Sequence, residues 1–382
     1  MMIWRDGVVR GVRASWDGVA ELDVEVVGGP GDERAPLAAG ATVRALAYVH
    51  LVGEPVVGDR VTLSAAALAR GLGTGGYAMV VALPDRLPAD PPPGPGHLVK
   101  ARYTPLQTMV LGVDEQESEH HETLRDADDL GGMPVVVADL HSAVPAVVAG
   151  LRTVDPDLSV AYVMTDGGAL PAWFSRSLAG LREAGWQAGS VTVGQAFGGD
   201  LEAVTLHTGL LAARLVLGAD VAVVVQGPGN LGTGTRWGFS GTACGEAVNA
   251  AAVLRGAPVA SLRVSGADPR ERHLGVSHHS LTAYGRVALA PADVVVPRFD
   301  AGTELERSLP PGLGERVREQ AAGLAAPSGI HRLVEVSTSG LAEALEGSPV
   351  RLSTMGRGLA QDPAAFLAAA VAGVHAGRLA RG

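Results

Sequence analysis

The sequence predicts an α/β protein: a doubly wound, mostly parallel sheet preceded by a small N-terminal β-barrel-like domain. Three observations carry this. Apolar and polar residues alternate with period two up to about residue 85, as they do in half-buried antiparallel strands. The stretch LPDRLPADPPPGPGH then interrupts the pattern with a stiff proline-rich connector. Beyond it, short Val- and Ala-rich runs alternate with helical stretches, which is the βαβ signature of a parallel sheet buried on both faces.

Taken in order, residues 1–85 read as a small antiparallel β domain of the OB or SH3 kind, 86–96 as the linker, and 97–382 as the α/β domain. Strands are expected at MVLGV, PVVVADL, SVAYVMT, GSVTVG, DVAVVV, VASLRV and DVVVP, with a later pair at RLVEV and VRLST. Helices are expected at SAVPAVVAGLR, LPAWFSRSLAGLREAG, LEAVTLHTGLLAARLVLG, GEAVNAAAVLR and ELERSLPPGLGERVREQAAGL. No repeat of fixed period appears.

Composition narrows the function classes. A chain of 382 residues, 47% hydrophobic and 18% charged, reads as soluble and large enough for two domains. It shows neither a secretory leader pattern nor an uninterrupted apolar stretch of about 20 residues, so a cytoplasmic location is expected and a membrane is not an expected partner. The net charge of −10 argues against nucleic acid, which needs a basic face. The single cysteine, Cys244, excludes internal disulfides and cysteine-rich metal clusters. Lys100 is the only lysine beside many arginines; a compact ammonium kept where arginine is the rule suggests a point charge for an anion.

The polar residues fall at successive strand ends. VVVAD leads to Asp139, His141 and Ser142; AYVM leads to Asp166; SVTV leads to Gln195 and Asp200. DVAVVV leads into Gln226, Gly227, Gly229, Asn230, Gly232, Thr233 and Arg236, and SLRV leads to Asp268, Arg270, Arg272, His273, His278 and His279. If the strands are parallel, these residues share one edge, where ligands of such sheets bind. Taken singly, Asp139, Asp166 and Asp200 also suit helix N-caps.

Three chemistries are open. GPGNLG matches the dinucleotide fingerprint G-x-G-x-x-G, but TGTRWGF separates it from the next helix and no acidic partner ends the following strand. Anion binding fits better, through a glycine nest supported by Arg236, Arg263, Arg270 and Arg272, with Arg357 in STMGRG as a second anion loop. A divalent metal is the third, drawn from Asp139, His141, Asp166, Asp200, His278 and His279, although adjacent histidines in an extended segment would face opposite ways. The cofactor and the metal ligands are left unknown.

The segments GHLVKARYTPLQTMVLGVDEQ, DGGALPAWFSR, GQAFGGD, QGPGNLGTGTRWGFSG, GVSHHSLTAYGRVAL and TMGRGLAQDPAAF, spread over almost the whole chain, resemble the bacterial domain-of-unknown-function family 3866. The resemblance implies a bacterial cytosolic protein, found widely in actinobacteria, and transfers no catalytic residues. The expected function is an enzyme, a hydrolase or group transferase, acting on a small anionic substrate that is phosphorylated or nucleotide-like. Asp139, His141, Asp166 and His278 are the candidates for acid–base or metal work; Lys100, Gln195, Asp200, Gln226, Gly227, Gly229, Asn230, Gly232, Thr233, Arg236, Arg263, Arg272 and Arg357 are the candidates for holding the ligand. A non-catalytic sensor is the alternative, a dinucleotide-dependent oxidoreductase a weaker one, and a homo-oligomer is compatible with either.

Overall fold

Five strands close the N-terminal barrel: β1 (Trp4–Trp16), β2 (Val19–Gly28), β3 (Thr42–Tyr48), β4 (Arg60–Ser64) and β5 (Ala78–Ala82). The computed structural model describes residues 2–29, 37–73, 75–325, 327 and 329–382. The barrel order is β1-β2-β3-β5-β4, antiparallel except for the parallel β3–β5 pair, so it is not a simple up-and-down meander. The period-two alternation sends Val9, Leu22, Val24, Val61, Leu63 and Val80 inward to a core of their own.

The chain divides into two compact units, residues 1–95 with 101–108, and 96–100 with 109–382. The second unit is built on a parallel sheet of β6 (Pro134–Val137), β7 (Val160–Thr165), β8 (Gly189–Thr192), β9 (Leu201–Glu202), β10 (Val221–Gln226), β11 (Ala257–Ser261), β12 (Asp293–Arg298) and β13 (Arg332–Ser337). Its order is β9-β8-β7-β10-β6-β11-β12-β13. The unbroken apolar runs follow from burial on both faces. In β10, Ala222 and Val224 enter one core cluster while Val221, Val223 and Val225 enter the other.

Two expected strands lie outside this sheet. Of MVLGV, Met109 and Val110 lie in a strand Thr108–Val110 paired with Leu98–Lys100 in a separate ribbon, and Gly112 makes only an isolated bridge to Glu202 of the sheet; VRLST contributes Ser353–Thr354 to a short hairpin with Arg357–Gly358. The long helix expected from residue 304 is two helices, Glu304–Arg307 and Leu313–Ala322, because Pro310 and Pro311 stand between them and proline cannot donate to a helix interior. The first residues of LEAVTLHTG form the edge strand β9 before the helix Leu206–Leu215 begins.

The helix Pro363–Arg381 is, among the described residues, the one long and apolar enough to cross a membrane, and 78% of its apolar window is buried inside the fold. That is the placement of a core helix. It packs on the helix Val144–Val154 at backbone contact: a Cβ on Gly150 would meet Ala370 O at 2.0 Å, and one on Gly373 would meet Val147 O at 1.9 Å.

Candidate active site

The site lies where the crossovers diverge. The chain leaving β6 runs through the helix Val144–Val154 to β7 and packs in one core cluster. The chain leaving the adjacent strand β10 runs through the helix Ala243–Val253 to β11 and packs in the other. Loops that part to opposite faces leave a crevice at the carboxyl ends of the two strands, the topological switch point where ligands of open α/β sheets bind.

Asp139, two residues beyond β6, sits at its centre with 4% of its surface exposed. The last residue of β10, Gln226, donates from Nε2 to the Asp139 carbonyl at 2.9 Å. Asn230 donates from Nδ2 to Asp139 Oδ1 at 2.8 Å, and Ser240 donates to Asn230 Oδ1 at 3.1 Å, which fixes the direction of that amide. From the loop after β11, Arg263 donates from Nη1 to Asp139 Oδ2 at 2.9 Å, and His279 Nδ1 stands 3.0 Å from the same oxygen. Burial alone would raise the Asp139 carboxyl; the hydrogen bond with His279 and the Arg263 charge outweigh it and hold the group below the usual carboxylate range. Gly241 closes the floor, for a Cβ there would stand 1.8 Å from Asp139 Oδ1.

Three imidazoles meet beside this carboxylate. Ring centroids lie 5.0 Å apart for His273 and His278, 5.0 Å for His273 and His279, and 4.5 Å for His278 and His279. His279 stacks flat on Phe239 at 3.8 Å, and His273 Nδ1 meets Ser277 Oγ at 2.8 Å. The expectation that His278 and His279 face opposite ways is corrected here: a helix begins at His278, with Ser277 as its N-cap accepting from the His279 amide, so the rings diverge by a helical step instead of a strand's reversal. Burial, then the charges of Arg263 and Arg270, push His273 down to about 3; burial, then His279 and Arg272, push His278 down to about 4. The Nε2 of His278 is buried with no hydrogen-bond partner.

The glycine loop of residues 227 to 239 folds back on itself: Thr233 N donates to Gly238 O at 2.7 Å, Gly232 bridges Phe239, and Gly229 and Gly234 take φ values of +92° and +81°. The next helix starts only at Ala243, so the loop does not deliver its glycines to a helix N-terminus as a dinucleotide fingerprint does. Arg236 at its exposed tip and exposed Arg272 form no ion pair among the described residues. The Arg272 guanidinium approaches the loop, its Nη2 3.9 Å from where a Gly234 Cβ would stand.

Several expected residues lie elsewhere or are already occupied. His141 is buried between Tyr162 Oη at 3.0 Å and Ser175 Oγ at 2.6 Å, and burial pushes it down to about 4, so it is a satisfied core histidine. Asp166 accepts from the Gln195 amide at 2.9 Å and pins the turn after β8. Asp200 is paired with Arg182 at 2.7 Å and with Ser190. Lys100 is buried at the β8–β9 edge, donating to the carbonyls of Ala203 at 2.8 Å and Ala196 at 2.9 Å beside Glu202, so its ammonium is not presented to an anion beside Asp139. Arg357 is held by Asp362 at 3.1 Å and Asp268 at 3.2 Å, which leaves its loop without a free cation. Strand-end reasoning named His273 without giving it a role and weighed His279 only as a metal ligand; the structure brings both into the cluster beside Asp139.

The chain is an α/β protein whose Asp139, Arg263 and His279 meet at the switch point of a parallel sheet. Residues 44–373 match the family model described as a protein of unknown function, DUF3866, and the chain belongs to that family. No curated protein and no solved structure matches the chain.

Proposed function

We propose that the Asp139 crevice is the active site of an enzyme that hydrolyses, or transfers a group from, a small anionic substrate of phosphorylated or nucleotide-like chemistry. The observation that carries the reading is the juxtaposition of His273 and His278, which burial keeps from protonating, with an arginine that has no acidic partner among the described residues. Arg272, whose charge is felt at His278, is free to pair with substrate, whereas Arg263 is committed to Asp139. Such a guanidinium binds phosphate or carboxylate by two parallel hydrogen bonds.

Asp139 Oδ2 and Arg263 Nη1 both lie 3.0 Å from Nδ1 of His279, which orients the ring with Nε2 turned away from the carboxylate. In the proposed step an imidazole nitrogen of the cluster takes the proton of an attacking water. The water oxygen bonds to the electrophilic centre, the bond to the leaving group breaks, and the proton passes to the leaving group. In group transfer an acceptor hydroxyl replaces the water.

The test is a panel of nucleotides and sugar phosphates scored for product by mass spectrometry, with Arg272→Ala alongside. Turnover by the wild type and a KM raised on the order of tenfold in the variant, about 1.4 kcal/mol, are expected. Binding without turnover would make the protein a sensor; equal KM values would remove Arg272 from the site.

A further inference from the structure

We infer that His273, His278 and His279 form a binding site for one divalent transition-metal ion of the zinc class, with water completing the coordination. The ion's use in catalysis rests on the crevice being an active site; its binding does not. One ring nitrogen from each histidine lies within 4.8 Å of the others. A tetrahedral ion with metal–nitrogen bonds of about 2.0–2.1 Å needs ligand nitrogens roughly 3.4 Å apart, so the rings need close by about an ångström, within reach of side-chain rotation.

Nδ1 of His279 is engaged by Asp139 and Arg263 and Nδ1 of His273 by Ser277, and Nε2 of each of these rings has no hydrogen bond among the described residues. An aspartate on the far nitrogen of a metal-ligating histidine fixes its tautomer and raises its basicity. The third ring supplies an independent sign: a buried imidazole nitrogen normally has a hydrogen-bond partner, and Nε2 of His278 has none. A cation would satisfy it. Three imidazoles with an open position are the donor set of catalytic zinc sites, and imidazole equally suits cobalt, nickel and copper.

The surrounding charge does not forbid an ion. Arg263, the nearest cation, is neutralised by Asp139, and Arg270 by Asp268 at 2.9 Å. Arg272, the residue before His273 in the chain, makes no ion pair among the described residues, and an anionic substrate lying between it and the ion would link the two.

The full chain is stripped with chelator and titrated with Co2+, following the visible absorption of the four-coordinate ion and the heat of binding, then with Zn2+ as competitor. One saturable equivalent displaced by Zn2+ is expected. His278→Gln, which loses no hydrogen bond and whose fold is checked by circular dichroism, is expected to weaken binding at least tenfold. Asp139→Asn is expected to weaken it 10- to 100-fold. Absence of a one-to-one site, or wild-type affinity in folded His278→Gln, overturns the inference. Turnover that persists in chelator overturns the ion's catalytic use and leaves the enzyme; Co2+ binding without turnover of any phosphorylated compound leaves the ion and overturns the enzyme.

Discussion

Replacing Asp139 by leucine, nearly its isostere, tests whether one carboxylate organises the crevice. The group is buried and accepts from Asn230, Arg263 and His279 at 2.8, 2.9 and 3.0 Å. In the variant the Arg263 guanidinium, 12% exposed, is left as an uncompensated buried cation. Breaking a buried pair from one side costs about 3–5 kcal/mol. Because the folded pKa of Asp139 is depressed, its stabilisation is complete above the unfolded value and is lost only as pH falls through the acidic range, so the whole cost is visible at pH 7. At about 2–4 °C per kcal/mol, a fall in Tm on the order of 10 °C is expected by calorimetry. The double variant Asp139→Leu/Arg263→Met removes both charges and is expected to recover more than half of the loss, since apolar replacement of a buried pair is often close to neutral. A single variant within about 2 °C of wild type, or a double variant as unstable as the single, would refute this account of the site.

Two further outcomes follow from the same geometry. Gly241→Ala places a methyl group 1.8 Å from Asp139 Oδ1, and because three partners hold that oxygen's carboxylate, the clash displaces it; a loss of about 1–3 kcal/mol in thermal unfolding is expected, and unchanged stability would show the carboxylate to be mobile. His141, neutral down to about pH 4 in the fold but protonated near pH 6.5 when unfolded, contributes stability that declines as pH falls through that window; between pH 7 and pH 5 this amounts to about 2 kcal/mol, and His141→Gln is expected to flatten the pH dependence of urea unfolding by that amount. Equal slopes for the two proteins would show that His141 titrates normally.

The architecture was legible because burial on both faces imposes a coarse rule on composition. Runs such as Val221 to Val225 have no polar face to present, and each ends at a residue that can cap, turn or bind. MVLGV and VRLST obey the same local rule and still lie outside the sheet, since a five-residue apolar run does not say which partner strand will receive it. Lys100 illustrates a correct signal with another cause. Its compact ammonium converges on the carbonyls of Ala196 and Ala203 beside Glu202 at a sheet edge, a buried role for a point charge that needs no ligand.

Pairing at the site was beyond local reading, because Arg263 and His279 reach Asp139 across 124 and 140 residues. One local clue did exist. In GVSHHS the serine ahead of the two histidines is a standard N-cap residue, and once Ser277 is taken as a cap the following residues are helical, which turns His278 and His279 about 100° apart instead of 180°. That difference brings both rings to the face that His273 shares, and it makes the cluster a property of one helix start. A substitution that spares all three histidines but removes the Ser277 hydroxyl therefore acts on the whole cluster, through the cap to the His279 amide and through the contact to His273 Nδ1.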